Sequence, residues 1–341
     1  RDASVTGVAA DVWAAQGSPG ALIHDYIGMG NKGTYRVEAA CATGSAGIRT
    51  AWSLIKAGLA DVILVVGAET MTWVGSGVAT EWMARAGDTR WEYPFGITFP
   101  GFYALMATRH MHEFGTTRAQ LSAVAVKNHH YGAMNPYAHL PKEVTLEEAM
   151  KSVPICQPLN LYDCCLISDG AAAVILASEE KAKKITDTPV WLEGLGAGSD
   201  TMMISERPSL VGLAAATTAA EQAYKMAGVT PKDINVACVH DCFSIAEIMS
   251  YEDLGFCKKG EGGKFIEEGQ SYIGGKTPVN VDGGLKAKGH PLGATGVSMA
   301  AEITRQLRGE AGKRQVPNAT IGLTHNVGET GQYCMVHIYK R

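Results

Sequence analysis

A chain of 341 residues is long enough for two domains of ordinary size and a large buried core. Hydrophobic residues at 46% and charged residues at 19% exclude a disordered chain. A net charge of −4 without a Lys/Arg block excludes nucleic-acid binding by phosphate neutralisation. No apolar run has the length of a membrane span and the start lacks a signal-peptide pattern. The eight cysteines have neither disulfide density nor paired C-x-x-C spacing, so no metal site is expected and a reducing, cytoplasmic setting is.

In chain order, Thr34–Glu38 reads as a strand and about Gly44–Gly58 as a helix, with Cys41 in the turn between them. A thiol at the positive end of a helix loses its proton more easily, and the thiolate is the nucleophile. A buried structural cysteine is the alternative. Ala42, Gly44 and Ser45 are small enough to let a substrate reach the sulfur. A strand follows at Asp61–Val66. Residues 72–163 differ in character: they carry Trp73, Trp82, Trp91, Tyr93, Phe95 and Tyr103 among scattered Gly and Pro, with helices at about Tyr103–Phe114 and Arg118–His130. This span is expected to be an insertion folded over the first half, its aromatics forming either packing or a ligand wall. Ala171–Ala177 reads as a buried strand. The charged run Glu179–Thr188, followed by Pro189, marks the boundary between residues 1–187 and 188–341.

Ala42-Thr43-Gly44 opens a helix followed by a strand, and Ala294-Thr295-Gly296 opens another helix followed by the strand Ala319–Thr324. The repeat implies two related α/β halves, with Gly293 at the position of Cys41. Three more loops carry chemistry: His240-Asp241-Cys242-Phe243 after the strand Val236–Val239, Gly289-His290-Pro291 before the second repeat helix, and His325-Asn326-Val327-Gly328-Glu329 at the end of its strand. Loops at the carboxyl ends of strands in an α/β sheet converge on ligands. A cysteine nucleophile needs a base and oxyanion donors, and this set contains both.

These motifs, in this order, resemble the thiolase family, most closely the branch of sterol-carrier-protein-2-type and archaeal thiolases, over nearly the whole chain. Cys-Ala-Thr-Gly-Ser at 41–45 matches the nucleophile loop. His-Asp-Cys-Phe at 240–243 matches the loop most thiolases write Asn-Glu-Ala-Phe, and Gly-His-Pro at 289–291 matches the third loop. His-Asn-Val-Gly at 325–328 stands where other thiolases keep a second cysteine in Cys-x-Gly. The resemblance implies the α/β thiolase fold, two related halves in a layered αβαβα core with an inserted loop domain. It implies that Cys41 attacks a 3-oxoacyl-CoA and becomes acylated, that His290 activates Cys41, that His240 helps hold an oxyanion, and that Cys242 does the acid/base work. His325 would line the pocket or support proton transfer, and Gly328 with the Cys41 amide would complete an oxyanion site.

Coenzyme A and acyl-CoA thioesters are then substrates, with no metal or redox cofactor. The family further implies a homodimer core, a small zinc-ribbon/OB-fold accessory subunit in this branch, and an opening strand and helix before residue 1 that pair in the first sheet. Glu329 alters the charge of the last loop and argues against a plain acetyl substrate. Arg85, Arg90 or Arg207 would meet a substrate carboxylate, or else be solvated. The resemblance within this branch extends to enzymes that cleave an aromatic, branched substrate such as benzoylsuccinyl-CoA to benzoyl-CoA and succinyl-CoA in aromatic degradation, and that substrate is placed ahead of acetoacetyl-CoA. The rivals are a β-ketoacyl synthase-like condensing enzyme and a non-catalytic acyl-CoA-binding scaffold.

Overall fold

In Val62–Thr70 every second residue is buried, and Ile63, Val65 and Gly67 line one face. That period of two is the signature of a sheet with a packed face. The computed structural model describes residues 2–341; Arg1, taken above as the start of the first half, lies outside the described residues. Among the described residues two four-stranded sheets form, one in each half. The first comprises β1 (Asp2–Gly7), β2 (Gly33–Val37), β3 (Val62–Thr70) and β4 (Asp169–Ala177), in the order β2-β1-β3-β4. The second comprises β5 (Trp191–Ser199), β6 (Val236–Val239), β7 (Ile321–Gly328) and β8 (Tyr333–Lys340), in the order β5-β8-β7-β6.

β1 runs parallel to both neighbours, from Ala3 opposite Gly33 to Gly7 opposite Gly67. It escapes a sequence reading because one of its buried faces carries Ser4 and Thr6 and the other only Ala3, Val5 and Gly7. In the fold those hydroxyls are satisfied, Ser4 Oγ by His24 Nδ1 at 2.7 Å and Thr6 Oγ1 by the Tyr35 carbonyl at 3.2 Å. His24 belongs to α1 (Pro19–Tyr26), which covers that face. On the opposite face Val5, Val37 and Val65 approach Gly47 of α2 (Thr43–Lys56).

The second repeat helix, here α7 (Leu292–Arg308), packs on α2 and contacts strands of both sheets. At the crossing, a Cβ on Gly44 would lie 2.7 Å from the Val297 amide nitrogen, and one on Gly296 2.2 Å from that of Ser45. The two helix starts are thus pressed together, which brings the two halves' loops into one place. Beyond the second sheet lies α5 (Ala214–Ala227), completing the αβαβα layering.

The β5–α5 contact explains two stretches of small residues. Gly194, Gly196 and Gly198 share one face of β5 and meet Ala223, Ala219 and Ala215, one helical turn apart. A Cβ on Gly196 would stand 1.7 Å from the Ala219 carbonyl oxygen. Gly196→Ala is therefore expected to cost about 3 kcal/mol or more by overpacking. Chemical denaturation checks this, and an unchanged midpoint would contradict it.

Two expectations are corrected here. β4 is an edge strand with alternately exposed residues rather than a buried one, and Ile175 is 67% exposed. An Ala/Val/Ile run does not reveal whether one face or both will be covered. The span 72–163 folds against the second half as well as the first. Its helices α3 (Phe99–Phe114) and α4 (Arg118–Ala133) pack on α6 (Ser244–Asp253), and α4 also contacts residues 262–267 and 284–287.

Candidate active site

Cys41 sits in a short 3-10 turn, Ala40–Ala42, directly before α2. Ala40 adopts φ 49°, a left-handed conformation that tilts the following residue out of the strand line. The side chain is only 5% exposed and packs with Trp13, Met71, Ala79 and Leu292. The Glu329 backbone N–H and the cysteine's own amide point at the sulfur and favour the thiolate. Burial outweighs them, with the Glu329 and Glu69 carboxylates adding to it, and pushes the thiol up to about 12. The helix start thus does not make the resting sulfur anionic, contrary to the sequence expectation; the thiol needs a base.

The Gly289-His290-Pro291 loop supplies one. Gly289 has φ +109°, a conformation that glycine adopts freely. His290 Nδ1 lies 2.7 Å from Thr295 Oγ1, whose own proton goes to the Pro291 carbonyl at 3.0 Å. The threonine oxygen must then accept, which puts the imidazole proton on Nδ1 and leaves a lone pair on Nε2. Burial first, then the Lys288 charge, pushes His290 down to about 3, so the ring is neutral.

His240 carries the opposite tautomer. Asn326 Oδ1 accepts from Ser45 Oγ at 3.0 Å, and Asn326 Nδ2 donates to the Cys41 carbonyl at 2.9 Å and to His240 Nδ1 at 3.2 Å. Burial, together with the neighbouring His290 and His325, holds His240 well below the usual imidazole range. Its single proton is therefore on Nε2. The two rings stand edge to face with centroids 5.0 Å apart, and Nε2 of each is buried without a partner. One presents a lone pair and the other an N–H.

Cys41, His240 and His290 offer ligand-type atoms within 4.8 Å of one another. The set could hold a soft divalent ion, and it equally meets the geometric need of a thiol, a base and an oxyanion donor. Cys242 follows on the His240 loop and is fully buried, which raises its thiol well above the usual value. Asp241, between them, accepts from Asn128 Nδ2 and the Leu285 amide, both at 2.7 Å, and so fixes the loop from two sides.

Three expected site residues are placed differently. β7 continues to Gly328 instead of ending at Thr324, so its side chains alternate through this segment. Asn326 faces Cys41, while His325 faces the other way, its Nδ1 3.3 Å from Ser250 Oγ on α6. Asn326 is the residue that sequence reasoning missed, although it stands in the same motif and a longer strand would have pointed to it. The amide that reaches the sulfur belongs to Glu329 and not to Gly328. Glu329 is the first residue past the strand, at φ 56°. Its own carboxyl is raised to about 7 by burial and by Glu38, and Arg207 opposes the shift.

Two of the three arginines are committed, and the third, Arg90, is exposed. Arg207 is buried and donates to the Thr330 and Thr201 carbonyls, and Arg85 pairs with Glu81 at 2.8 Å and lies over Trp82 and Tyr93. Trp73 and Phe95 are both 78% exposed. A groove of about 950 Å³, lined by Trp52, Ile175, Trp191 and Arg305 among others, includes none of the converging residues.

A two-half α/β fold with a buried cysteine between two oppositely protonated imidazoles defines a cysteine-dependent acyltransferase. Residues 24–180 match the family described as "Thiolase, N-terminal domain" and residues 196–341 "Thiolase C-terminal domain-like". The chain is 48% identical to an acetyl-CoA acetyltransferase of Methanothermobacter thermautotrophicus over 99% of its length and 88% of that protein. It is 36% identical to benzoylsuccinyl-CoA thiolase subunit BbsB of Thauera aromatica over 89% of this chain and 78% of that protein. Among solved structures, an Ltp2-ChsH2(DUF35) aldolase superposes with TM-score 0.86 at 28% identity, covering 98% of this chain and 86% of that one. Human mitochondrial 3-ketoacyl-CoA thiolase shares the fold, with TM-score 0.73 at 19% identity over 99% and 86% of the two chains. The chain belongs to the thiolase family and is an acyltransferase. Among the described residues, no helix is long and apolar enough to cross a membrane.

Proposed function

We propose that the chain cleaves a short, uncharged 3-oxoacyl-CoA with coenzyme A, acetoacetyl-CoA being the representative substrate, and runs the reverse condensation through the same acyl-cysteine. The observation that carries this reading is the opposed pair of tautomers beside Cys41, a lone pair on His290 Nε2 and an N–H on His240 Nε2.

His290 takes the Cys41 proton and the sulfur attacks the 3-keto carbon, whose oxygen draws on the Cys41 and Glu329 amides. The C2–C3 bond breaks and its electron pair passes to C2, as an enolate whose oxygen accepts from His240 Nε2–H. Cys242 gives its proton to C2 and acetyl-CoA leaves. An incoming CoA thiol restores the Cys242 proton, and its sulfur takes the acyl group from Cys41. The departing Cys41 thiolate recovers its proton from His290.

The substrate preference follows from charge. Glu329 and Glu69 raise the Cys41 thiol, so two acidic side chains act on the sulfur. Arg85 and Arg207 are already engaged. An acyl group bearing its own carboxylate would meet these acidic groups without a free partner in Arg85 or Arg207. The apolar contacts with Trp13, Met71, Ala79 and Leu292 suit a neutral acyl group, and relatives at 48% and 43% identity are called acetyl-CoA acetyltransferases. This reverses the order that the resemblance suggested. A substrate panel tests it: kcat/KM for acetoacetyl-CoA is expected to exceed that for benzoylsuccinyl-CoA by about tenfold or more. The opposite ranking would overturn the substrate reading, and turnover only with a malonyl thioester would favour a β-ketoacyl synthase.

A homodimer is part of this proposal. β2 is an edge strand exposed from Gly33 to Arg36, and it leads straight into the Cys41 turn. Such an edge is a template for pairing with a second copy. Sedimentation is expected to give twice 36.1 kDa, and a monomer at micromolar concentration would contradict the pairing. The exposed Trp73, Trp91 and Phe95 supply an apolar surface for the accessory subunit that the resemblance suggests.

A further inference from the structure

Asp241 stands between His240 and Cys242, and its carboxylate is held from the inserted span. Its Oδ2 accepts from Asn128 Nδ2 on α4 at 2.7 Å, and its Oδ1 accepts from the Leu285 amide at 2.7 Å. Asn128 Nδ2 also donates to Glu247 Oε2 on α6 at 2.7 Å. The same carboxylate oxygen accepts from Asn280 Nδ2 at 2.9 Å, and Asn280 Oδ1 accepts from the Val239 amide at 2.8 Å. One oxygen of Glu247 thus anchors two asparagines. One of them grips the residue before His240 and the other the residue after it. Lys127 completes the group. Its Nζ lies 2.7 Å from Glu247 Oε1 and donates to Asn128 Oδ1 at 2.7 Å, which turns the N–H2 of the asparagine toward the carboxylates. Lys127, Asn128, Asp241, Glu247 and Asn280 are all buried. A buried polar group whose members satisfy one another is rigid.

We infer that Asn128 is a positioning residue of the carbon–carbon step, fixing the His240–Cys242 loop through Asp241 from a helix of the inserted span. The inference rests on the roles proposed for His240 and Cys242. In that reading the His240 Nε2–H meets the enolate oxygen while the Cys242 thiol meets C2, so the two side chains have to keep their relative aim. Both lie in the turn between β6 and α6, outside either element. Asn280 steadies the strand end before that turn, and Asn128 steadies the residue inside it. The acyl-transfer groups are held independently. His290 is bound by Thr295 Oγ1 and, through its own amide, by Ser168 Oγ at 3.2 Å. The Cys41 carbonyl takes its hydrogen bond from Asn326, which Ser45 holds in turn. None of these bonds involves Asn128, Asp241 or Glu247.

Asn128→Leu keeps most of the volume and the charge balance. It takes one donor from Asp241 and leaves the bond to the Leu285 amide. Two activities separate its effects. Exchange of labelled CoA into acetyl-CoA needs Cys41 acylation and His290 but no carbon–carbon step; thiolysis of acetoacetyl-CoA needs both. The expected result is retained exchange, thiolysis kcat lowered about 100-fold, and an unchanged KM. Retained exchange also reports a folded site. Asp241→Asn is isosteric, sets an N–H2 against that of Asn128, and is expected to give the same split; it carries the test if Asn128→Leu does not fold. The double variant is expected to lose no more than about twofold beyond Asn128→Leu, because the two residues act through one contact. Equal loss of both activities would reduce Asn128 to a scaffold role, unchanged thiolysis would remove it from the reaction, and losses that multiply in the double variant would uncouple it from Asp241; each overturns the inference. His240→Ala, assayed alongside, distinguishes the two levels. If it leaves thiolysis intact, the His240 role has failed. If it abolishes thiolysis while Asn128→Leu does not lower it, the asparagine inference alone has failed.

Discussion

Cys41→Ala is expected to abolish both thiolysis and the exchange of CoA into acetyl-CoA, a loss of about 10⁴-fold or more. The size of the effect follows from there being no substitute. Cys242 is buried and Cys165 half-buried near Cys41, but neither stands at the start of α2 with the Glu329 amide directed at its sulfur. The pH dependence of the unmodified enzyme carries a linked expectation. Burial raises the Cys41 thiol to about 12, so the proton is lost only as pH rises. At neutral pH the free thiolate is about one part in 10⁵. Alkylation of the free enzyme by iodoacetamide should therefore be slow near pH 7 and climb without a plateau to pH 10. A plateau near neutrality would mean that the helix start outweighs burial after all.

Cys242→Ala is expected to separate the two activities. Exchange of CoA into acetyl-CoA persists, because His290 alone can move the Cys41 proton. Thiolysis falls by about 10²- to 10⁴-fold, because no acid remains to protonate the enolate at C2. His325 is the one alternative that the sequence suggested, and its ring faces Ser250 on the far side of β7. Near-normal thiolysis in this variant would give the proton transfer to another group and would require a route that the fold does not offer His325.

Much of this arrangement was legible before any coordinates. The repeat of helix and strand at either end of the chain gave two α/β halves, and the loops around Cys41, His240 and His290 were recognisable because each combines a chemical side chain with Gly, Pro or small neighbours that fix a turn. What the sequence hid lies on regular elements. Asn326 reads as a neighbour of His325 until β7 is seen to run on to Gly328, at which point the alternation exchanges their roles. Asn128 reads as one polar residue among many, because local spacing says nothing about α4 packing on α6 of the other half. The electrostatic sign at Cys41 was likewise out of reach. A helix start is visible in sequence, but the burial that opposes it comes from Trp13, Met71 and Leu292, which are distant in the chain. Composition likewise left packing and a ligand wall open for the aromatics of residues 72–163, and it did not reveal that Trp73 and Phe95 stand exposed.

The central claim is a covalent acyl-cysteine formed between the two imidazoles. The most direct measurement is mass spectrometry of the protein after brief incubation with acetoacetyl-CoA in the absence of free CoA. An acetyl group on the peptide containing Cys41, removed on adding CoA with release of acetyl-CoA, is the expected result. Cleavage of the substrate with Cys41 unmodified, or an acyl group carried on another cysteine, would contradict it.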